Sequence, residues 1–345
     1  MFEYNKLLND IIFGQIGNSN SLNLFLFIIS ALLFSLAIDV IFGELPAKVH
    51  PVVIIGSVIG FFKRMFIGIK NRLSGFLLVL FTCIVSSVIL YVIYRIASVN
   101  VILLFIVFSL ILSSTFSVKM LLKTAIDVKY ALDENIDKAR DLVSYLVSRN
   151  TSDLTESFIV SAAIESLTEN ITDSFVAPVF YYFIFTLAIL LFDFNSPLFI
   201  LLLVVVLYRT FNTLDAMVGY ETDELANIGF IPAKIDDIVN YIPSRIAGVY
   251  VVVSAYLLRF DGKNAFKIMM RDARKCPSPN SGYTMATAAG ALDIQLVKKG
   301  TYILGDENKS IDRQDIQKAV SLTKLTIILF TLTVVILLVL FQVII

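Results

Sequence analysis

The chain has 345 residues, of which 57% are hydrophobic and 16% charged, and its mean hydropathy of +0.83 lies far above that of soluble domains. Lys and Arg together number 28, as do Asp and Glu, so there is no basic surplus for a nucleic-acid backbone and no nucleic-acid partner is expected. A single histidine, His50, excludes histidine-rich zinc sites, and the two cysteines, Cys83 in an apolar run and Cys276 in a polar loop, exclude a disulfide framework.

Such a composition describes an all-α, polytopic integral membrane protein, and the even spread of its apolar runs argues for one membrane-embedded domain over residues 1–345. The N-terminal MFEYNKLLNDIIFGQIGNSN lacks the basic region and cleavage site of a signal peptide and is expected to be retained. Residues 22–42 are long enough to span the bilayer, with Asp39 in the last turn. His50-Pro51 reads as a turn element, and the apolar run after it, too short to cross, reads as interfacial or re-entrant. Residues 75–95 and 99–118 form a hairpin of two further spans.

From Lys119 to Arg149 acids and bases alternate with apolar residues at helical spacing, which predicts one or two amphipathic helices outside the bilayer. Residues 174–192 form a span and 198–208 a short return. Residues 209–245 are polar, with Pro232 and Pro243 expected to break regular structure. The run 246–258 is short for a span. Residues 259–324 are the longest polar region, and 325–345 a terminal span.

Six spans result, and basic residues orient them. Four Lys or Arg lie between Lys63 and Arg72, six between Lys119 and Arg149, and twelve between Arg259 and Lys324. The positive-inside rule puts all three groups in the cytoplasm, which requires 246–258 to dip without crossing. A multi-pass protein of the cell membrane follows, with its active face cytoplasmic and segments 119–173 and 209–324 forming the site.

Three constellations carry candidate chemistry. In RNTSDLTESFIVSAAIESLTENITDSFVAPVF, Glu165, Glu169 and Asp173 recur every four residues and share one helix face, with Asn170 one step round. Beside an apolar span, such a stripe implies a divalent cation or a cationic partner; the alternative is a solvated helix face. Asn212, Asp215, Asp236, Asp237 and Asn240 place hard oxygen ligands beside spans, which suits Mg²⁺ bound to substrate phosphates, and Arg209, Lys234 and Arg245 bracket them. Ser278-Pro279-Asn280-Ser281-Gly282 has the turn chemistry of an anion cradle, although no Walker A motif or Gly-x-Gly-x-x-Gly is present.

Four blocks in order, DVIFGELPAKVHPVVIIG, RNTSDLTESFIVSAAIESLTENITDSFVAPVFYY, YRTFNTLDAMVGYETDELANIGFIPAKIDDIVNYIPSR and RDARKCPSPNSGYTMATAAGALDIQL, resemble the adenosylcobinamide-phosphate synthase family of cobalamin biosynthesis. The resemblance implies a membrane ligase that joins aminopropanol, or its O-phosphate, to the free carboxylate of adenosylcobyric acid as an amide. ATP and Mg²⁺ are implied with it, because a carboxylate and an amine at neutral pH give a salt unless the acid is activated. Within this family reading Glu165, Glu169, Asp215 and Asp236 are the catalytic candidates, one of them as general base toward the amine. Glu169, Asp173, Asp236 and Asp237 are the Mg²⁺ candidates. Substrate binding falls to Arg149, Asn170, Arg209, Asn212, Asn240, Arg245, Ser278 and Asn280, with the corrinoid and the amine as substrates.

Two positions depart from the family pattern: Cys276 stands where a histidine is expected, and Met285 where an acid is expected. Neither supports acid-base chemistry here. A Mg²⁺-dependent prenyl- or alcohol-phosphotransferase also sets acids beside spans, but its paired Asp spacing is not reproduced. A small-molecule transporter would put ionisable residues mid-span and show related halves. Nothing in the sequence excludes an oligomer.

Overall fold

The computed structural model describes residues 18–69, 71–147, 149–220 and 222–345, with side chains from Leu22 onward. Most of the N-terminal stretch expected to be retained lies outside the described residues. In chain order the helices are α1 (Asn18–Phe42), α2 (Pro51–Phe66), α3 (Leu73–Ala97), α4 (Val101–Ser113), α5 (Val118–Glu134), α6 (Ile136–Ser144) and α7 (Glu156–Ile171). A π-helical turn over Thr172–Val176 leads into α8 (Ala177–Leu191). There follow α9 (Pro197–Val218), α10 (Phe230–Val239), α11 (Tyr241–Leu257), α12 (Gly262–Asp272), α13 (Gly282–Leu292), a hairpin of β1 (Leu296–Lys298) and β2 (Tyr302–Leu304), and α14 (Arg313–Ile344).

Among the described residues six stretches are long and apolar enough to cross a membrane, Leu22–Phe42, Leu73–Ala97, Val101–Glu134, Glu156–Leu191, Pro197–Val218 and Arg313–Ile344, or seven if α10 and α11 together make one span. The six correspond to those expected from the sequence: the first has the expected bounds, and the other five are longer than expected. Helices satisfy their own backbone groups, so each apolar run extends until its polar flanks meet water or protein. The expected short return at 198–208 is a 22-residue helix. In its polar extension Thr210 and Thr213 donate their hydroxyls to the carbonyls of Val206 and Arg209, one turn back, at 2.8 and 2.7 Å, so both hydroxyls are satisfied within the helix. The terminal helix likewise starts twelve residues before the expected Leu325.

The prolines expected to break regular structure do not. Pro232 and Pro243 each sit third in a helix, α10 and α11, where the missing N–H has no intrahelical acceptor to serve. The two helices meet at Asn240 with a bend of 48°. His50 behaves as the turn element expected: its Nδ1 accepts from Val52 N at 3.2 Å and caps α2, a 16-residue helix with Pro51 in its first turn. Burial holds His50 below its ordinary pKa; Glu44 opposes this and Arg209 reinforces it. The neutral ring is the form whose Nδ1 accepts.

The chain divides into two compact units. The first comprises residues 1–117, 178–238 and 334–345. Its core joins Phe27 edge-on to Phe105 and Phe108, with centroids 5.4 and 5.6 Å apart, and Tyr182 donates its hydroxyl to Ile28 O at 2.7 Å. The second comprises residues 118–177 and 239–333. Its core is built from small and branched residues such as Val128, Ala139, Ile159, Ala163, Ala286 and Ile316, all fully buried. Small side chains let helices approach closely: Asn264, on α12, donates Nδ2 to Gly290 O of α13 at 3.0 Å.

Candidate functional site

In the second unit the chemistry gathers on Glu165. This carboxylate lies in the middle of α7 and is 3% exposed. Its Oε1 accepts from Ser161 Oγ, one turn earlier, at 2.6 Å and from Arg149 Nη2 at 3.1 Å, and its Oε2 accepts from the Tyr302 hydroxyl at 2.9 Å. Strand β1 closes the group: Val297 N donates to Ser161 Oγ at 2.9 Å and Val297 O accepts from Arg149 Nη1 at 3.1 Å. A buried carboxylate needs a counter-charge and filled lone pairs, and Glu165 has both. The cationic partner that the acidic stripe implies is thus partly internal: it is Arg149.

The other members of the stripe differ. Glu169, one turn on, remains exposed, within electrostatic reach of Lys298 and Glu165. Asp173 falls in the π-helical turn and is half-buried. Asn170 donates Nδ2 to Ser166 O at 2.8 Å, a bond within its own helix. The wider π turn alters the angular step between residues, so the four-residue spacing no longer stacks Asp173 strictly above Glu169.

The two positions that depart from the family pattern adjoin Glu165. Met285 is 1% exposed, its Sδ 3.8 Å from the Tyr302 hydroxyl. Burial pushes the Cys276 thiol up to about 12, with Glu169 and Glu165 adding to the shift and a bond to Ser281 opposing it. Tyr302 is likewise raised, first by burial and then by Glu165 and Glu169. At neutral pH both are protonated donors.

The Ser-Pro-Asn turn opens α13, and Arg245 occupies it. Its Nη1 donates to Asn280 Oδ1 at 2.8 Å and to Tyr241 O at 2.7 Å, while its guanidinium lies 3.5 and 4.2 Å from the Tyr241 and Tyr283 ring centroids. Ser278 Oγ accepts from Asn280 N at 3.2 Å. Asn240 is 1% exposed at the α10–α11 bend. Arg245, Ser278 and Asn280 thus meet, and the arrangement already satisfies most of the donors expected to hold substrate.

In the first unit the polar end of α9 and the helix α10 bring acids together. Arg209 donates Nη1 to Asn212 Oδ1 at 3.0 Å, and Asn212 Nδ2 lies 3.5 Å from Asp236 Oδ1. Asp215 stands within electrostatic reach of Asp236 and Asp237, and Lys234 pairs with Asp237 at 3.3 Å. Gly219 makes room: a Cβ there would fall 2.0 Å from Asp215 Oδ1 and 2.7 Å from its carbonyl oxygen. Among the described residues no three His, Cys, Asp or Glu side chains form a ready cage for an ion. Mg²⁺ in phosphoryl chemistry takes one or two carboxylates and completes its shell with phosphate oxygens and water, so the donor set at Asp215, Asp236 and Asp237 fits that metal. The four Mg²⁺ candidates divide, Asp236 and Asp237 in this unit and Glu169 and Asp173 in the other.

Sequence comparison then decides the family. The profile of the family described as CobD/Cbib protein matches residues 32–323. The chain belongs to the CobD/CbiB family. Among CobD/CbiB relatives, the probable cobalamin biosynthesis protein CobD of Methanothermobacter thermautotrophicus is 44% identical over 304 residues, covering 88% of this chain and 96% of that one. The probable CobD of Methanothrix thermoacetophila is 35% identical over 92% of this chain and 99% of its own. The cobalamin biosynthesis protein CobD of Dehalococcoides mccartyi is 37% identical over 82% and 89%. No solved structure matches the chain. The matched span includes every candidate residue of both groups. It also includes Tyr302 and Lys298, which the sequence reading missed because their hairpin lies 137 residues from Glu165 and carries no motif of its own.

Proposed function

We propose that the protein acts in cobalamin biosynthesis as an ATP-dependent ligase that joins aminopropanol, or its O-phosphate, to adenosylcobyric acid through an amide bond. The observation that carries this reading is the convergence of Asp215, Asp236 and Asp237, with Arg209 turned toward them through Asn212. Carboxylates within electrostatic reach of one another raise each other's cost of ionisation, and a divalent ion carrying phosphate offsets it. Bound together, Mg²⁺ and ATP supply charge neutralisation and a phosphoryl leaving group for the carboxylate.

The chain's own residues have distinct tasks. Asp215, Asp236 and Asp237 would hold the metal, and Asn212, which accepts from Arg209, lies beside Asp236 to orient it. Glu169, exposed beside the fixed Glu165, is the carboxylate of the second unit suited to receive the substrate ammonium. Glu165, held by three side chains, positions the helix. The distribution of basic residues supports a cytoplasmic face of the cell membrane for this chemistry.

The test is complementation of a strain lacking this amidation step. The wild-type chain restores corrinoid-dependent growth, and Asp236→Ala and Glu169→Ala, inserted at equal levels, do not. Failure of the wild type despite good expression overturns the reading, as does full activity of both variants.

A further inference from the structure

The β1–β2 hairpin borders a cavity of about 680 Å³ to which the function just proposed gives no task. Lys275, Lys298, Lys299 and Tyr302 line it together with the Gly300–Thr301 turn, and no acid is among its lining residues. The strand register explains the unusual member. Leu296 pairs with Leu304 and Lys298 with Tyr302, and alternate residues of a strand share a face. Lys298 therefore lies on the same side as Leu296 and Leu304, both fully buried, while Lys299 is exposed. An inward-facing lysine ordinarily meets a carboxylate, since removing an ammonium from water is costly. Among the described residues none makes an ion pair with Lys298 or Lys299; their ammonium groups lie 6.0 Å from the Tyr302 ring and 4.3 Å from the Phe158 ring. Lys275, by contrast, is held by Asp272 at 2.6 Å.

We infer that the hairpin carries a phosphate-binding subsite in which Lys298 is the inner ligand and Lys299 the outer one. Two ammonium groups without a close ion pair, on a cavity with no acid among its lining residues, match a phosphate dianion. Gly300, at φ +75°, has open space where a Cβ would stand, so the turn does not obstruct the approach. Tyr302, the cross-strand neighbour of Lys298, donates to Glu165, and Lys298 acts on Glu169 from the same side. The subsite thus adjoins the carboxylates of the second unit. A terminal phosphate of a nucleotide and the phosphate ester of an amino alcohol present the same chemistry to it, and the second would also offer its ammonium to Glu169. The inference rests on the ligase reading only for the identity of the phosphate, not for its binding.

Titration calorimetry on the full chain in detergent tests it, with ATP, inorganic tripolyphosphate and aminopropanol O-phosphate as separate probes. Loss of one charged contact weakens binding about tenfold. Lys298→Ala is expected to show that loss, Lys298→Arg to recover most of it, and Lys138→Ala, on a lysine outside the cavity paired with Glu134, to bind as the wild type does. A loss for ATP and tripolyphosphate alone assigns the subsite to the nucleotide, and a loss for the amine ester alone assigns it to the amine substrate. If Lys298→Ala lowers the unfolding midpoint, the exposed Lys299→Ala gives the same reading with a smaller loss. Equal affinity of wild type and lysine variants for all three probes, or no binding by the wild type, overturns the subsite even if complementation succeeds. Lysine-dependent binding in a chain that fails complementation keeps the subsite and removes the ligase reading.

Discussion

Arg149 and Glu165 are joined in the second unit by a hydrogen-bonded ion pair, Nη2 to Oε1 at 3.1 Å, with side chains only 16% and 4% exposed. The pair ties the segment before α7 to the middle of that helix, and Val297 O ties the same guanidinium to β1. Removing the cation leaves a buried carboxylate with neutral donors only. Arg149→Ala is expected to cost about 3 kcal/mol, read as a lowered thermal unfolding midpoint in detergent. An unchanged midpoint would show that the pair does not lock this unit.

Asp272 gives a second reading of charge, in acid. Its side chain is fully buried and takes Arg271 at 2.8 Å, Lys275 at 2.6 Å and Gly305 N at 2.9 Å. Burial works against the charged form, but these donors prevail and hold the carboxyl at about 2. A carboxyl depressed on folding stabilises the fold above its unfolded pKa and loses that contribution as pH falls through its folded one. The contribution, about 2 kcal/mol after allowance for the partly exposed Arg271, is therefore complete above about pH 4 and gone below about pH 2. Asp272→Asn should be less stable at pH 7 and should flatten the stability profile across that window, followed by chemical unfolding at each pH.

Cys276 should be inert to alkylation. With its thiol pushed up to about 12, the thiolate fraction at pH 8 is on the order of one in ten thousand. In a Cys83→Ser background, a maleimide should leave the folded protein unlabelled at pH 8 over a time that labels it fully in denaturant. Rapid labelling of the folded chain would contradict the burial around Glu165.

Gly219→Ala tests the acids of the first unit without removing one. The added methyl group would overlap the Asp215 carboxylate and backbone oxygen, so Asp215 must move relative to Asp236 and Asp237. Displacements of about an ångström lower rates by about a hundredfold in positioned sites. The proposed amidation, assayed in membranes, should fall by that order while membrane insertion is retained, and wild-type activity would argue that Asp215 needs no fixed place.

The carboxylate stripe at Glu165, Glu169 and Asp173 shows how far the sequence reaches. Its spacing indicated a shared helix face and a neutralising partner, and Arg149, already marked at the head of the same block, provides one. The spacing did not reveal that Glu165 is spent on structure while Glu169 stays open, because that depends on Tyr302 and Val297, which arrive from a hairpin far along the chain. The same holds for Arg245. As a sequence feature it reads as a phosphate ligand; in the fold, two tyrosine rings and Asn280 engage it.

The sequence by itself determined the membrane architecture. Each span is a local property, a run of apolar residues long enough to cross and obliged to satisfy its own backbone hydrogen bonds. Family membership was legible too, since it rests on blocks of contiguous residues. Tertiary structure alone decided where the polar residues of α9 go, how Glu165 is paired while Glu169 stays exposed, how the π turn shifts Asp173, and that Lys298 faces inward toward Glu169 with no close ion pair among the described residues. Those are outcomes of contacts between residues distant in sequence, and the hydropathy and spacing of one segment carry no record of what another will place beside it.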